Sequence, residues 1–169
     1  MLIAIDLSRV YFAVRDLKLR LDYEKLFDLL VGDTPKEEVT IYAFTVANPD
    51  NKKQRKFLER LRELGVHVVT YSFKTRPSFS EELSAIAGEC LSHGETVTLV
   101  SNDRALMRVF DLLDAYAPRM TLCFFSDKLE AGWAQKILKE KTNFTDLSSK
   151  ENLERLQLQP AQGEKVQNG

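Results

Sequence analysis

The sequence predicts an α/β domain: a mostly parallel sheet of five or six strands between two layers of helices. Three observations predict it. Strand-length apolar runs alternate with amphipathic stretches along most of the chain. The runs are apolar on both faces, as in strands covered on both sides of a sheet. The stretches between them are long enough to be the helical crossovers that parallel strands require. With 169 residues, 44% of them hydrophobic, the chain has the length and core content of one domain.

The runs Leu2–Ile5, Val39–Thr45, Val66–Phe73, Thr96–Val100 and Met120–Phe125 supply five strands, rich in Val, Ile, Phe, Tyr and Thr. Asn143–Leu147 is a shorter extended piece that makes a sixth. Tyr23–Val31 carries Leu26, Phe27, Leu29 and Leu30 in a helical pattern. Pro49–Leu64 carries Phe57, Leu58, Leu61 and Leu64, and Gly65 stops it. Ser78 and Glu81 form a capping box ahead of Leu83, Ile86, Ala87, Cys90 and Leu91. Asp103–Tyr116 carries Leu106, Met107, Phe110, Leu112 and Leu113, and stops before Pro118. Ser126 or Asp127 caps a last helix with Leu129, Trp133, Ile137 and Leu138. The domain therefore spans residues 1–147. From Ser148 to Gly169 the composition is polar. There Ser148-x-x-Glu151 with Leu153, Leu156 and Leu158 can nucleate one short helix, and Pro160–Gly169 reads as disordered.

The charges nearly cancel, 24 Lys and Arg against 25 Asp and Glu, for a net −1. That balance excludes a polybasic whole-surface binder and leaves room for a local basic patch. Cys90 and Cys123 are the only cysteines, so there is no disulfide framework, and two His with two Cys do not make a usual zinc site. No run approaches the roughly 18 apolar residues of a membrane span. Met1–Ile5 meets Asp6 too early for a signal peptide, so a cytoplasmic chain with no membrane partner is expected. GxGxxG, P-loop and GxSxG patterns are absent from the sequence, and with them the local signatures of dinucleotide binding, ATP hydrolysis and serine hydrolysis.

In an open parallel sheet, sites form beyond the carboxyl ends of strands where strand order reverses. Asp6 ends the first strand, and Ser101-Asn102-Asp103-Arg104 follows the fourth. Thr45, Lys74 and Ser126-Asp127 end the others. A strand order of 3-2-1-4-5 makes the first and fourth strands neighbours and brings Asp6 and Asp103 together. Two such carboxylates are half of a divalent-metal site built from hard oxygen ligands. The competing reading of Asp103 is an N-cap. Asp6, closing a buried strand, is costly without partners. His67 lies in a strand and His93 in a turn, and both read as structural or solvated. Lys52, Lys53, Arg55 and Lys56, with Arg60 and Arg62, then Lys74 and Arg76, form a cationic cluster that would attract phosphates irrespective of sequence. Glu59 and Glu63 partly neutralise it, and the alternative reading is a solvated helix face.

The stretch from Ile3-Ala4-Ile5-Asp6-Leu7-Ser8-Arg9 through Val10-Tyr11-Phe12-Ala13 resembles the opening of the NYN domain, a branch of the PIN-like nuclease superfamily. In that family a strand ends in Asp-Gly-x-Asn and a helix follows with aromatic residues. Leu99-Val100-Ser101-Asn102-Asp103-Arg104-Ala105-Leu106 is similar to the family's Val-Ser-Gly-Asp-x-Asp-Phe, and Leu129 to Leu147 to its last helix and strand. The resemblance runs from Leu2 to about Leu147. It implies a ribonuclease in which clustered acids hold Mg²⁺ or Mn²⁺ and activate water on a phosphodiester.

Carried over by position, Asp6 takes the first acid and Asp103 the main acid after the fourth strand, each a metal ligand and a catalytic residue. The family's Gly and Asn after the first acid are Leu7 and Arg9 here. Its helix acids fall on Ser78 and Ser84, and its second Asp of Asp-x-Asp falls on Ala105. Glu81, one helical turn before Ser84, is the replacement catalytic acid; Glu82 comes next, and Asp127 is more distant. Two-metal chemistry needs several carboxylates, and Arg9 competes with any ion by pairing with Asp6 or Asp103.

Two functions follow. The favoured one is a degenerate, cofactor-free site on a module that binds RNA or a protein. RNA would be held by its phosphate backbone through Lys52, Lys53, Arg55, Lys56, Arg9, Lys74 and Arg76. The alternative is an active Mg²⁺/Mn²⁺-dependent ribonuclease using Asp6, Asp103 and a relocated Glu.

Overall fold

The computed structural model describes residues 1–72, 79–103, 109, 112–126, 143–156 and 159–160. Its strands are β1 (Leu2–Asp6), β2 (Leu19–Arg20), β3 (Thr40–Val46), β4 (His67–Tyr71), β5 (Val97–Val100), β6 (Met120–Phe124), β7 (Asn143–Asp146) and β8 (Gln159–Pro160). The α-helices among the described residues are α1 (Leu7–Asp16), α2 (Tyr23–Val31), α3 (Lys52–Glu63), α4 (Phe79–Ser92) and α5 (Lys150–Leu156).

Six strands form one parallel sheet in the order β4-β3-β1-β5-β6-β7. This is the expected order with the short piece from Asn143 added as the outermost strand. Because β1 is central, all five of its residues are buried, and side-chain alternation divides them between two cores. Leu2 and Ala4 join Phe44, Leu99 and Leu122 beneath Leu83, Ala87 and Leu91 of α4. Ile3 and Ile5 join Ala43, Val100 and Cys123 under α1, α2 and α3, which contribute Val10, Val14, Leu26, Phe27, Leu58 and Leu61.

Short polar side chains start the helices on this second face. Asp6 caps α1, Asp22 caps α2 by accepting the Glu24 and Lys25 amides, and Asn51 caps α3 by accepting the Gln54 amide. Gly65 ends α3 with a φ of 83°, a left-handed turn that glycine adopts without strain. The C-terminal stretch returns to the body. Leu156 of α5 is fully buried beside α2, and β8 pairs antiparallel with β2, Leu19 opposite Pro160. The helix expected over Leu129–Leu138, half of Asp103–Tyr116, and nearly all of the stretch read as disordered lie outside the described residues. So do Lys74, Arg76, Ser78, Ala105 and Asp127. No helix among the described residues is long and apolar enough to cross a membrane.

Candidate acidic site

β1 and β5 lie side by side, Ile5 opposite Val100, so the residues that follow each strand emerge together. Asp6 is only 6% exposed. Its Oδ1 accepts the Arg9 backbone N–H at 3.0 Å, and its Oδ2 accepts the Ser101 hydroxyl at 3.3 Å. The Ser101 Oγ in turn accepts the Asp103 amide at 2.9 Å, so one hydroxyl ties both aspartates. The Arg9 guanidinium closes the cluster, donating from Nε to Asp103 Oδ2 at 3.0 Å. Of the two pairings the sequence left open, Arg9 gives its guanidinium to Asp103 and its amide to Asp6.

Asn102 holds this turn in place. Its amide donates to the Phe125 carbonyl at 2.9 Å and accepts the Phe125 N–H at 3.0 Å. The side chain thus extends the pairing of β5 with β6 by one further step. On the α4 side, the Tyr71 hydroxyl donates to the Glu82 carboxylate. Burial pushes the Tyr71 phenol up, the Glu82 bond and charge add to it, and the Asp6 charge is also felt there. Glu82, the second-choice acid, is therefore engaged at the end of β4. Glu81 sits in the first turn of α4, and its side chain lies outside the described residues. Ser84 is half-buried on the same helix.

Burial raises the Asp6 carboxyl above its ordinary range, and the Asp103 charge adds to the rise. The Arg9 amide, the Arg9 guanidinium and the Ser101 hydroxyl oppose it without cancelling it. Among the described residues, no three His, Cys, Asp or Glu side chains converge as metal ligands. Among the described residues, Asp6 and Asp103 are the carboxylates joined through Ser101, and Asp103 is already ion-paired to the Arg9 guanidinium, whereas a divalent metal pair takes several acids.

A stability prediction follows from Asp6. Its folded-state pKa lies above the unfolded one, so its contribution is complete below the ordinary value of 3.8 and is lost as pH rises through the folded value. Asp6→Asn keeps an acceptor for the Arg9 amide and carries no charge. At pH 7 it is expected to be more stable by about 1 kcal/mol, or about 2–4 °C in Tm for a domain of this size. Thermal melts at a series of pH values check this: the advantage must fall away on acidification, and a destabilised Asp6→Asn at pH 7 contradicts it.

The described part of the basic cluster falls on α3. Lys52, Lys53, Arg55 and Lys56 are exposed on the first two turns of α3. Arg60 is occupied, bridging Glu24 at 3.0 Å and Glu63 at 3.2 Å. Sequence reasoning gave no role to Ser101 or Asn102. It also passed over the positions of Tyr11 and Phe12, which stand off the buried stripe of Leu7, Val10, Ala13 and Val14, a signal readable from helical periodicity alone.

A parallel sheet in this order, with Asp6 closing β1 and Asp103 just past β5, is consistent with a PIN-like nuclease fold. The chain matches the NYN domain over residues 1–148, and it belongs to that family. No curated protein matches it, and no solved structure does.

Proposed function

We propose that this NYN protein binds RNA through its phosphate backbone and that its acidic site is held by its own arginine in place of a metal. The observation that carries the reading is the Arg9 guanidinium on Asp103 Oδ2, where a cation would sit, with the Arg9 amide on Asp6. An ion entering there must displace a guanidinium and face a buried carboxyl that already disfavours its charged form. Lys52, Lys53, Arg55 and Lys56 supply the phosphate contacts, and Arg9, Lys74 and Arg76 extend them.

One experiment tests both halves: fluorescently labelled RNA followed by anisotropy and by gel, in chelator and in millimolar Mn²⁺. Intact RNA with the same affinity in both conditions is the expected result. Reversing Lys52, Lys53, Arg55 and Lys56 to Glu should weaken binding at least tenfold. It should also flatten the log–log salt dependence by about 2.8, some 0.7 per single-strand phosphate contact. Mn²⁺-dependent cleavage that disappears in Asp6→Asn establishes the ribonuclease reading instead. RNA affinity indifferent to the four reversals reduces the cluster to a solvated helix face.

A further inference from the structure

A groove of about 950 Å³ lies between α1 and α3. It starts at Ser8 and Thr45, beside the carboxyl ends of β1 and β3, and reaches Leu19–Leu21 around β2. Five cations line it: Arg9, Arg15, Lys18, Arg20 and Lys53. No Asp or Glu among the described residues does, on a chain whose net charge is −1. That segregation of sign makes the groove complementary to a polyanion.

The rest of the lining is mostly apolar and aromatic, with Ser8, Thr45, Asn48, Asn51 and Gln54 as its uncharged polar members. Tyr11 is 56% exposed and Phe12 46%, the rings 5.6 Å apart and edge to face. Both are turned out from the stripe that α1 buries. Below them Tyr23 and Phe57 pack at 4.9 Å. The Arg15 guanidinium lies over the Phe12 ring at 4.8 Å, so that ring face already accepts a flat group. Arg15 also pairs with Asp16, which stands outside the groove.

Lys18 adds a separate observation. It follows the end of α1 with a φ of 57°, the left-handed position that glycine or asparagine normally fills. A lysine held in that strained conformation adds its charge to this lining, and strain of this kind concentrates at ligand-binding positions.

We propose that the groove binds single-stranded RNA, with bases stacked on Tyr11 and Phe12 and phosphates on Arg15, Lys18, Arg20 and Lys53. The proposal rests on the RNA-binding reading above and adds a site that the α3 cluster alone does not define. A double helix keeps its base faces stacked inside and cannot use exposed rings, whereas a single strand offers base faces and phosphates together. Arg9 lines the groove and also holds Asp103, so it joins the strand path to the acidic site.

The test uses the full chain, a labelled ten-nucleotide oligouridine and a blunt RNA duplex of equal length. The single strand is expected to bind at least tenfold more tightly than the duplex. Tyr11→Ala and Phe12→Ala should each weaken it roughly tenfold, within the range found for a lost base–aromatic stack. Tyr11→Phe should retain binding, and Arg20→Glu should lose it more at low salt than at high salt. Because both rings are exposed, unchanged melting temperatures verify that the variants are folded. If the oligouridine binds and responds to Lys52→Glu and Lys56→Glu but ignores Tyr11→Ala, Phe12→Ala and Arg20→Glu, the groove is wrong and the RNA-binding reading stands. If neither RNA binds the wild type, both are overturned.

Discussion

Asn102→Ala is expected to lower stability by about 2–4 kcal/mol, a fall in Tm of about 5–15 °C. Its side-chain amide makes two hydrogen bonds to the backbone of Phe125, at 2.9 and 3.0 Å, and the Phe125 side chain is fully buried. Truncation leaves a partly buried N–H and a C=O without partners, at about 1–2 kcal/mol each. It also frees the turn that presents Ser101 and Asp103. Asn102→Asp is the informative control. An ionised carboxylate still accepts the Phe125 N–H but sets a second oxygen against the Phe125 carbonyl. That repulsion raises its pKa, so this variant should be weak at pH 7 and recover as acid restores a donor. Urea unfolding at pH 7 and at pH 5 reads both effects, and an Asn102→Ala midpoint equal to wild type overturns the bracket.

Asp146→Ala is expected to cost about 2–3 kcal/mol. Asp146 ends β7, and its Oδ1 accepts the amides of Ser126 and Ser148 at 3.1 and 2.8 Å and the Ser148 hydroxyl at 2.7 Å. Its Oδ2 accepts the Ser126 hydroxyl at 2.6 Å. Burial pushes this carboxyl up, but the two hydroxyls and two amides bring it below its ordinary 3.8. The sign is therefore opposite to that of Asp6. Asp146 contributes stability above pH 3.8 and loses it as pH falls through the folded value. The gap between wild type and Asp146→Ala should be widest near neutrality and narrow below pH 3.8, as melts across that range will show.

The sheet was legible because β1, β3, β5 and β6 are largely apolar on both faces, and the expected order 3-2-1-4-5 then set Asp6 beside Ser101–Asp103 by the switch-point rule. The partner of Arg9 was not legible. Asp6 has its two oxygens turned to an amide and to Ser101, which leaves Asp103, 17% exposed, for the guanidinium. That choice depends on the backbone direction at two strand ends, and sequence spacing does not encode it. Nor does spacing fix how α4 is rotated against β4, which decides that Glu82 meets Tyr71. The β2–β8 ribbon has two residues per strand, too few to show any period. Tyr11 and Phe12, by contrast, were readable as large rings off a buried stripe.

The position of β1 at the centre of the sheet has a kinetic consequence. It must pair with β3 on one side and β5 on the other, and Asp6 meets Ser101 across 95 residues. Closing so long a loop is entropically unfavourable, and non-local parallel pairing is slow. Until β5 docks, Leu2–Ile5 presents an apolar strand with one open row of hydrogen-bonding groups, a template for the same strand of another molecule. Refolding is thus a contest between intramolecular closure and aggregation, with dilution favouring closure.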